Sequence, residues 1–100
     1  MIYNIQTTSA VAVGPLVSLN PHYPFSVQVT VTAASGAVSG SVTIECSNDS
    51  VHWVAVGTAI APSGTTTATA GQVFTAPYAY IRANTTAISA ASSITVLLNK

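Results

Sequence analysis

The run Phe25-Ser26-Val27-Gln28-Val29-Thr30-Val31-Thr32 alternates apolar with polar side chains for eight residues. Successive side chains of a strand point to opposite faces, so this period of two puts Phe25, Val27, Val29 and Val31 on one face, with hydroxyls and an amide on the other. Ser41-Val42-Thr43-Ile44-Glu45-Cys46-Ser47 repeats the pattern and turns Val42, Ile44 and Cys46 inward. The segment between them, 33–40 (AASGAVSG), holds Gly36 and Gly40 and predicts a hairpin joining two antiparallel neighbours. Further strands are expected over 51–57, 65–75, 78–86 and 93–99, separated by turn-rich segments. Two shorter ones precede Phe25, over 2–13 with a break near Ser9 and over 16–19. Gly14-Pro15 and Asn20-Pro21 bound the second and confine it to an edge or to a contact between subunits.

Seven or eight short strands without a helical stripe predict an all-β fold, an antiparallel two-sheet β-sandwich of jelly-roll or immunoglobulin-like connectivity. One hundred residues bury a single core, so 1–100 reads as one domain, with 1–19 as an N-terminal arm or as edge strands. Thr65-Thr66-Thr67-Ala68-Thr69-Ala70 reads as a strand with a small-residue face. Charged residues are the usual guard of a sheet edge, and this strand has none, so a neighbouring subunit is expected to cover it.

Composition narrows the function. Only Glu45, Asp49, Arg82 and Lys100 are charged, against about a quarter of the residues in an ordinary free chain. A surface of hydroxyls, methyls and amides suits a protein that packs against something else. Net charge is zero and no Lys/Arg cluster exists, so the phosphate neutralisation behind nucleic-acid affinity is missing. The N-terminus shows neither a basic segment nor a long apolar run, so neither a secretory precursor nor a membrane protein is expected. The chain, opening at Met1, reads as a complete small gene product. One cysteine, Cys46, leaves stability to packing and strand pairing.

Little in the chain points to chemistry. His22, His52 and Cys46, with Glu45 and Asp49 to complete a shell, lack the paired short spacing of a zinc site, so no metal is expected. Cys46 alternates with Val42 and Ile44 and reads as a small core hydrophobe rather than as a nucleophile served by His52. Glu45 and Asp49 straddle a strand-to-turn boundary with no third acid, which gives glycosidase chemistry no footing. Segment 36–40 lacks both the βαβ setting and the lysine of a phosphate loop. Asn48-Asp49-Ser50 and Asn84-Thr85-Thr86 fit the glycosylation sequon by chance in a chain so rich in these residues. Asn48 and Asp49 form a turn, because short side chains that bond back to the backbone tolerate its conformations. No catalytic residue and no cofactor is expected.

Val42-Thr43-Ile44-Glu45-Cys46-Ser47-Asn48-Asp49-Ser50-Val51-His52-Trp53 is followed about twenty-five residues later by Pro77-Tyr78-Ala79-Tyr80-Ile81-Arg82-Ala83. Together they resemble the S-N-D-G-x-x-W and Y-I-R pattern of small β-sandwich proteins of tailed-bacteriophage virions, and more weakly that of discoidin-like carbohydrate-binding sandwiches. The resemblance covers about half the chain, with Ser50 standing where glycine is usual; the turn is not expected to need a positive φ there. Asn48, Asp49 and Trp53 then belong to turn and core. The resemblance implies a non-enzymatic capsid decoration (cement) protein on the virion surface, with the major capsid protein as its partner and assembling as a homotrimer, or a tail- or fibre-associated module. Candidate interaction residues are Ile2, Tyr3 and Ile5 of the leading segment with Tyr23, Tyr78, Tyr80 and Arg82. The competing expectation is a carbohydrate-binding module, in which Tyr23, Trp53, Tyr78 and Tyr80 stack a sugar and His22, His52, Asp49 and Arg82 orient it.

Overall fold

A computed structural model of the chain describes residues 1–19, 24–75 and 78–100. His22 and Tyr23 lie outside the described residues. Among those described there are eight strands and no helix: β1 (Ile2–Thr8), β2 (Ala12–Val13), β3 (Val17–Ser18), β4 (Phe25–Ser47), β5 (Val54–Ile60), β6 (Ser63–Phe74), β7 (Tyr80–Ile88) and β8 (Ser92–Asn99).

The two alternating runs are halves of one strand. β4 continues for 23 residues, so the hairpin expected over 33–40 is absent and the strands are not uniformly short. The physical reason lies in parity: the inward residues are odd-numbered from Phe25 to Val31 and even-numbered from Val38 to Cys46. A change of parity within a strand requires extra residues, which a bulge supplies. Five residue steps of β4, from Thr32 to Ala37, oppose two of β6, from Thr67 to Thr65. Gly36 sits in this bulge with φ of 85°, a conformation that costs glycine little. Gly40 meets a different need, since a Cβ there would stand 2.6 Å from Cδ1 of Ile94. Hairpins and bulges both use glycine, and the sequence signal does not separate them.

All pairings are antiparallel, and β4 is their axis. β8 and β7 follow one another along one side of β4, pairing with residues 26–33 and 40–47. β6 and β5 line its other side, and β1, β2 and β3 line the far side of β8 and β7 from Ile2↔Asn99 to Val17↔Ile81 and Ser18↔Tyr80. The sheet is therefore four long, interrupted strands wide. Gaps at 9–11, 61–62 and 89–91 divide the strands on either side of β4, which itself runs on through its bulge at 33–37, and near them the sheet folds over. A Cβ on Gly57 would lie 2.9 Å from the Phe74 ring, although the intervening chain, if straight, would hold the two tens of ångströms apart. The result is a nearly closed, barrel-like sheet around one core.

Both halves of β4 feed that core, with Val29 and Val31 from the first and Val42 and Ile44 from the second. Ile94, Val96 and Leu98 of β8 and Ile81 and Ala83 of β7 complete its centre, and Phe25 stacks on Phe74 at 5.2 Å between ring centroids. One seam is closed by a buried amide. A register shift between Asn4 and Gln6 turns two consecutive residues, Ile5 and Gln6, inward. Gln6 Nε2 donates to the Ala12 carbonyl at 3.0 Å, and Thr85 Oγ1 donates to Gln6 Oε1 at 2.8 Å. β1, β2 and β7 are thereby joined by side-chain bonds, and the polar groups of Gln6 are satisfied inside the core.

Candidate functional site

Three of the four charged side chains gather at one end of the molecule, on and beside the second half of β4. Ile81 and Ala83 point inward, so Arg82 between them points out, and the register sets it directly opposite Glu45. Arg82 Nε donates to Glu45 Oε1 at 2.7 Å, while Asn84 Nδ2 donates to Glu45 Oε2 at 3.5 Å. The guanidinium carbon lies 4.2 Å from the centroid of the Trp53 ring, within the range of a cation–π contact. Trp53 is half-buried at this outer surface and does not belong to the core cluster, so its expected role as a core residue is corrected. Arg82 lies across one face of its ring.

The turn before Trp53 is organised by Asp49. Its Oδ1 accepts from the backbone N–H groups of Val51 (2.9 Å) and His52 (2.8 Å) and from the Ser47 hydroxyl (2.9 Å), and its Oδ2 meets His52 Nδ1 at 2.8 Å. The His52 backbone N–H, with the His52 ring, the Val51 N–H and the Ser47 hydroxyl, holds the Asp49 carboxyl below the usual carboxylate range. Asn48 Oδ1 accepts from Ala79 N–H at 3.1 Å and ties this turn to the start of β7. Ser50 has φ of 62°, so the position does adopt the left-handed conformation that glycine serves in the resembled pattern. Ser50 N–H donates to Ser47 Oγ at 3.0 Å, which helps to hold it there.

This cluster is internally satisfied. Arg82 and Glu45 are committed to each other, Asp49 to its own turn, and Tyr78 and Tyr80 are half-buried, Tyr78 against the core. Cys46 is fully enclosed, and burial pushes its thiol up to about 11, so at neutral pH it is not a thiolate. His52, by contrast, is among the most exposed side chains, so the two do not form a nucleophile–base pair.

The N-terminal candidates divide. Ile2 is exposed and Tyr3 is partly so, with Lys100 Nζ 5.4 Å from the Tyr3 ring centroid. Ile5 is 2% exposed and belongs to the core, which corrects its place among the interaction residues; the bulge that turned it inward left no trace in the alternation. Residues 2–18 form edge strands on their own chain rather than a free arm. Lys100 N–H donates to the Met1 carbonyl at 3.1 Å, the terminal amine donates to the Lys100 carbonyl at 2.9 Å, and Lys100 Nζ donates to the Ser18 carbonyl.

A second surface was not foreseen. The registers align Thr7, Thr95, Thr30 and Thr69 in one rank across β1, β8, β4 and β6. Ser93, Thr32 and Thr67 form the next rank, and Asn4, Leu97, Gln28 and Gly71 the one on the other side. These residues alternate with inward apolar ones, so they share the outer face, and none is charged. Thr30, Thr32, Thr69 and Thr95 are visible as polar members of alternations in the sequence; the ranks exist only once the register is set. Comparison with protein-family models, with curated proteins and with solved structures gives no match to this chain.

Proposed function

We propose that this protein is a non-enzymatic structural module of the capsid-decoration (cement) type, which binds the major capsid protein on a virion surface and stabilises the shell by bridging its subunits. The observation that carries the reading is the distribution of polar chemistry. Glu45, Arg82, Asp49 and His52 are engaged in the molecule's own turn and ion pair, while the four-stranded face of Thr7, Thr95, Thr30 and Thr69 is uncharged and built from short side chains. Such a face packs closely on a neighbour with little loss of side-chain entropy, and many equivalent contacts on a repetitive lattice compensate for a modest area per copy. The finer architectural reading belongs to the same proposal: the two halves of the folded sheet act as facing layers of a β-sandwich, jelly-roll or immunoglobulin-like in its connectivity, with the shared core in support.

The test is to add the purified chain to shells that lack it and to count bound copies by quantitative gel. Occupancy is expected to persist from about 0.05 to about 1 M NaCl, because few ions are present to be screened. Release by salt alone would refute the reading. A carbohydrate-binding role is favoured by one observation, the grouping of Trp53, Arg82 and Asn84 at an outer surface. Against it, Arg82 occupies a face of Trp53 that a sugar would stack on. A glycan array with wild type and Trp53→Ala decides it: sugar binding by the wild-type chain, lost on Trp53→Ala, would support the carbohydrate role.

A further inference from the structure

The folded sheet has two edges, and they differ in how they are protected. One, along β1, β2 and β3, is interrupted throughout: β1 is bulged between Asn4 and Gln6, β2 and β3 are two residues each, and Pro15 stands between them. A bulge, short strands and a proline are the devices that keep an edge from accepting another strand. The other edge is formed by β5 and β6. β5 is itself bulged, since two residue steps of β4 (Val42 to Ile44) oppose four of β5, with Gly57 at φ of 71°. β6 is different. From Phe74 to Thr67 its ladder with β4 is unbroken, and among the described residues β6 pairs with β4 alone. This stretch contains no charge, no proline and no bulge, and Val73 at its end is 72% exposed.

We infer that β6 of one copy pairs antiparallel with β6 of a second copy across a two-fold axis. The occupant must be an extended strand, because what the edge offers is a row of backbone N–H and C=O groups. The asymmetry of the edges makes that strand a second β6. Head-to-tail pairing, as in a cyclic trimer built by strand addition, would need the β1–β3 edge as the acceptor, and that edge is blocked. Same-edge pairing uses only the open one and closes at two. Side chains permit it: in an antiparallel pairing centred near Thr69, outward Thr67 falls opposite Gly71 and inward Ala68 opposite Ala70, all small, with no like charges across the axis. The outer ranks of threonines then continue from one copy into the next. This inference stands on the edges alone, so failure of the chain to bind shells leaves it untouched, and its own failure leaves shell binding open.

The test is sedimentation of the full chain over a concentration series. A dimer is expected with Kd of about 1–100 µM, as suits a contact smaller than a standard interface. Lysines at the edge, Thr67→Lys with Thr69→Lys, should weaken it by about tenfold or more, since position 69 meets its own copy across the axis and position 67 adds a second charge beside it on each strand. Thr30→Lys, on the same outer face but one strand in, should leave it unchanged. A monomer throughout, a trimer, a dimer indifferent to the edge lysines, or one abolished by Thr30→Lys would each overturn the inference. Should the edge variant fail to fold, amide exchange on the unmodified chain serves instead. Protection of 67–73, but not of 2–8, should rise with concentration, and exchange independent of concentration would overturn the pairing.

Discussion

The two outer faces carried by β4 solve the same problem in opposite ways. On its first half, Thr30 and its neighbours on β1, β8 and β6 meet water with short hydroxyls, and the Thr30 and Thr69 hydroxyls bond across the strands at 3.1 Å. On its second half, Glu45 is paired with Arg82, which in turn covers Trp53. Beneath both lies the same core. The lesson is that the inner pattern of a strand decides whether it folds, and the outer pattern decides what it is left free to do. A face whose charges are already paired is closed to new partners in a way that a face of threonines is not.

The largest effect should come from what the halves share. Val29→Ala and Ile44→Ala, one beneath each face, should each cost about 2–5 kcal/mol in urea unfolding, because both residues are fully enclosed. A cost confined to one of them would mean that the halves do not share a core. Gly40→Ala should cost about 1–3 kcal/mol, since the new methyl meets Ile94, which is itself fully buried and has nowhere to move. Next comes the contrast between faces. Glu45→Ala should cost about 1–2 kcal/mol, less than for an enclosed ion pair because the Glu45 and Arg82 side chains remain 18% and 26% exposed. Thr30→Ala on the other face should change stability by less than about 0.5 kcal/mol. Equal costs would erase the distinction drawn here.

An effect confined to acid belongs to the Asp49 turn. Its carboxyl is held below the ordinary range in the folded chain, so its contribution is present above about pH 4 and is lost as pH falls toward the lowered value. Only Glu45 and Asp49 carry side-chain carboxylates, so the acid branch of the stability curve can be assigned. Asp49→Asn should flatten it while leaving the neutral-pH core intact, as read by urea midpoints between about pH 6 and about pH 2.5. An unchanged acid branch would show that the turn's bonds to Asp49 do not stabilise the fold.

Much of the architecture could be read in advance. Alternation located both ends of the longest strand, because a half-buried strand needs an apolar residue at every second place whatever its partners are. Gly14-Pro15 marked an edge for an equally local reason, the missing N–H. The errors share a cause. Bulges at 33–37 and at Ile5 add residues without altering composition, so the sequence shows a turn where a strand continues and gives no sign that Ile5 faces inward. The resemblance assigns Trp53 to the core, whereas it lies half-buried at the outer surface with the guanidinium of Arg82, 29 positions away in the chain, over its ring.

By itself, then, the sequence determined that the chain is all-β, which residues of its alternating runs face inward, and that it carries very few charges, since each of these follows from residue type and local spacing. Tertiary structure alone decided the rest: that two alternating runs are one bent strand, that Arg82 lies over Trp53 beside Glu45, that threonines from four strands fall into ranks, and which sheet edge stays open. All four depend on register between distant segments, and register is set by where the whole sheet folds over and closes its core, a condition that no single segment contains.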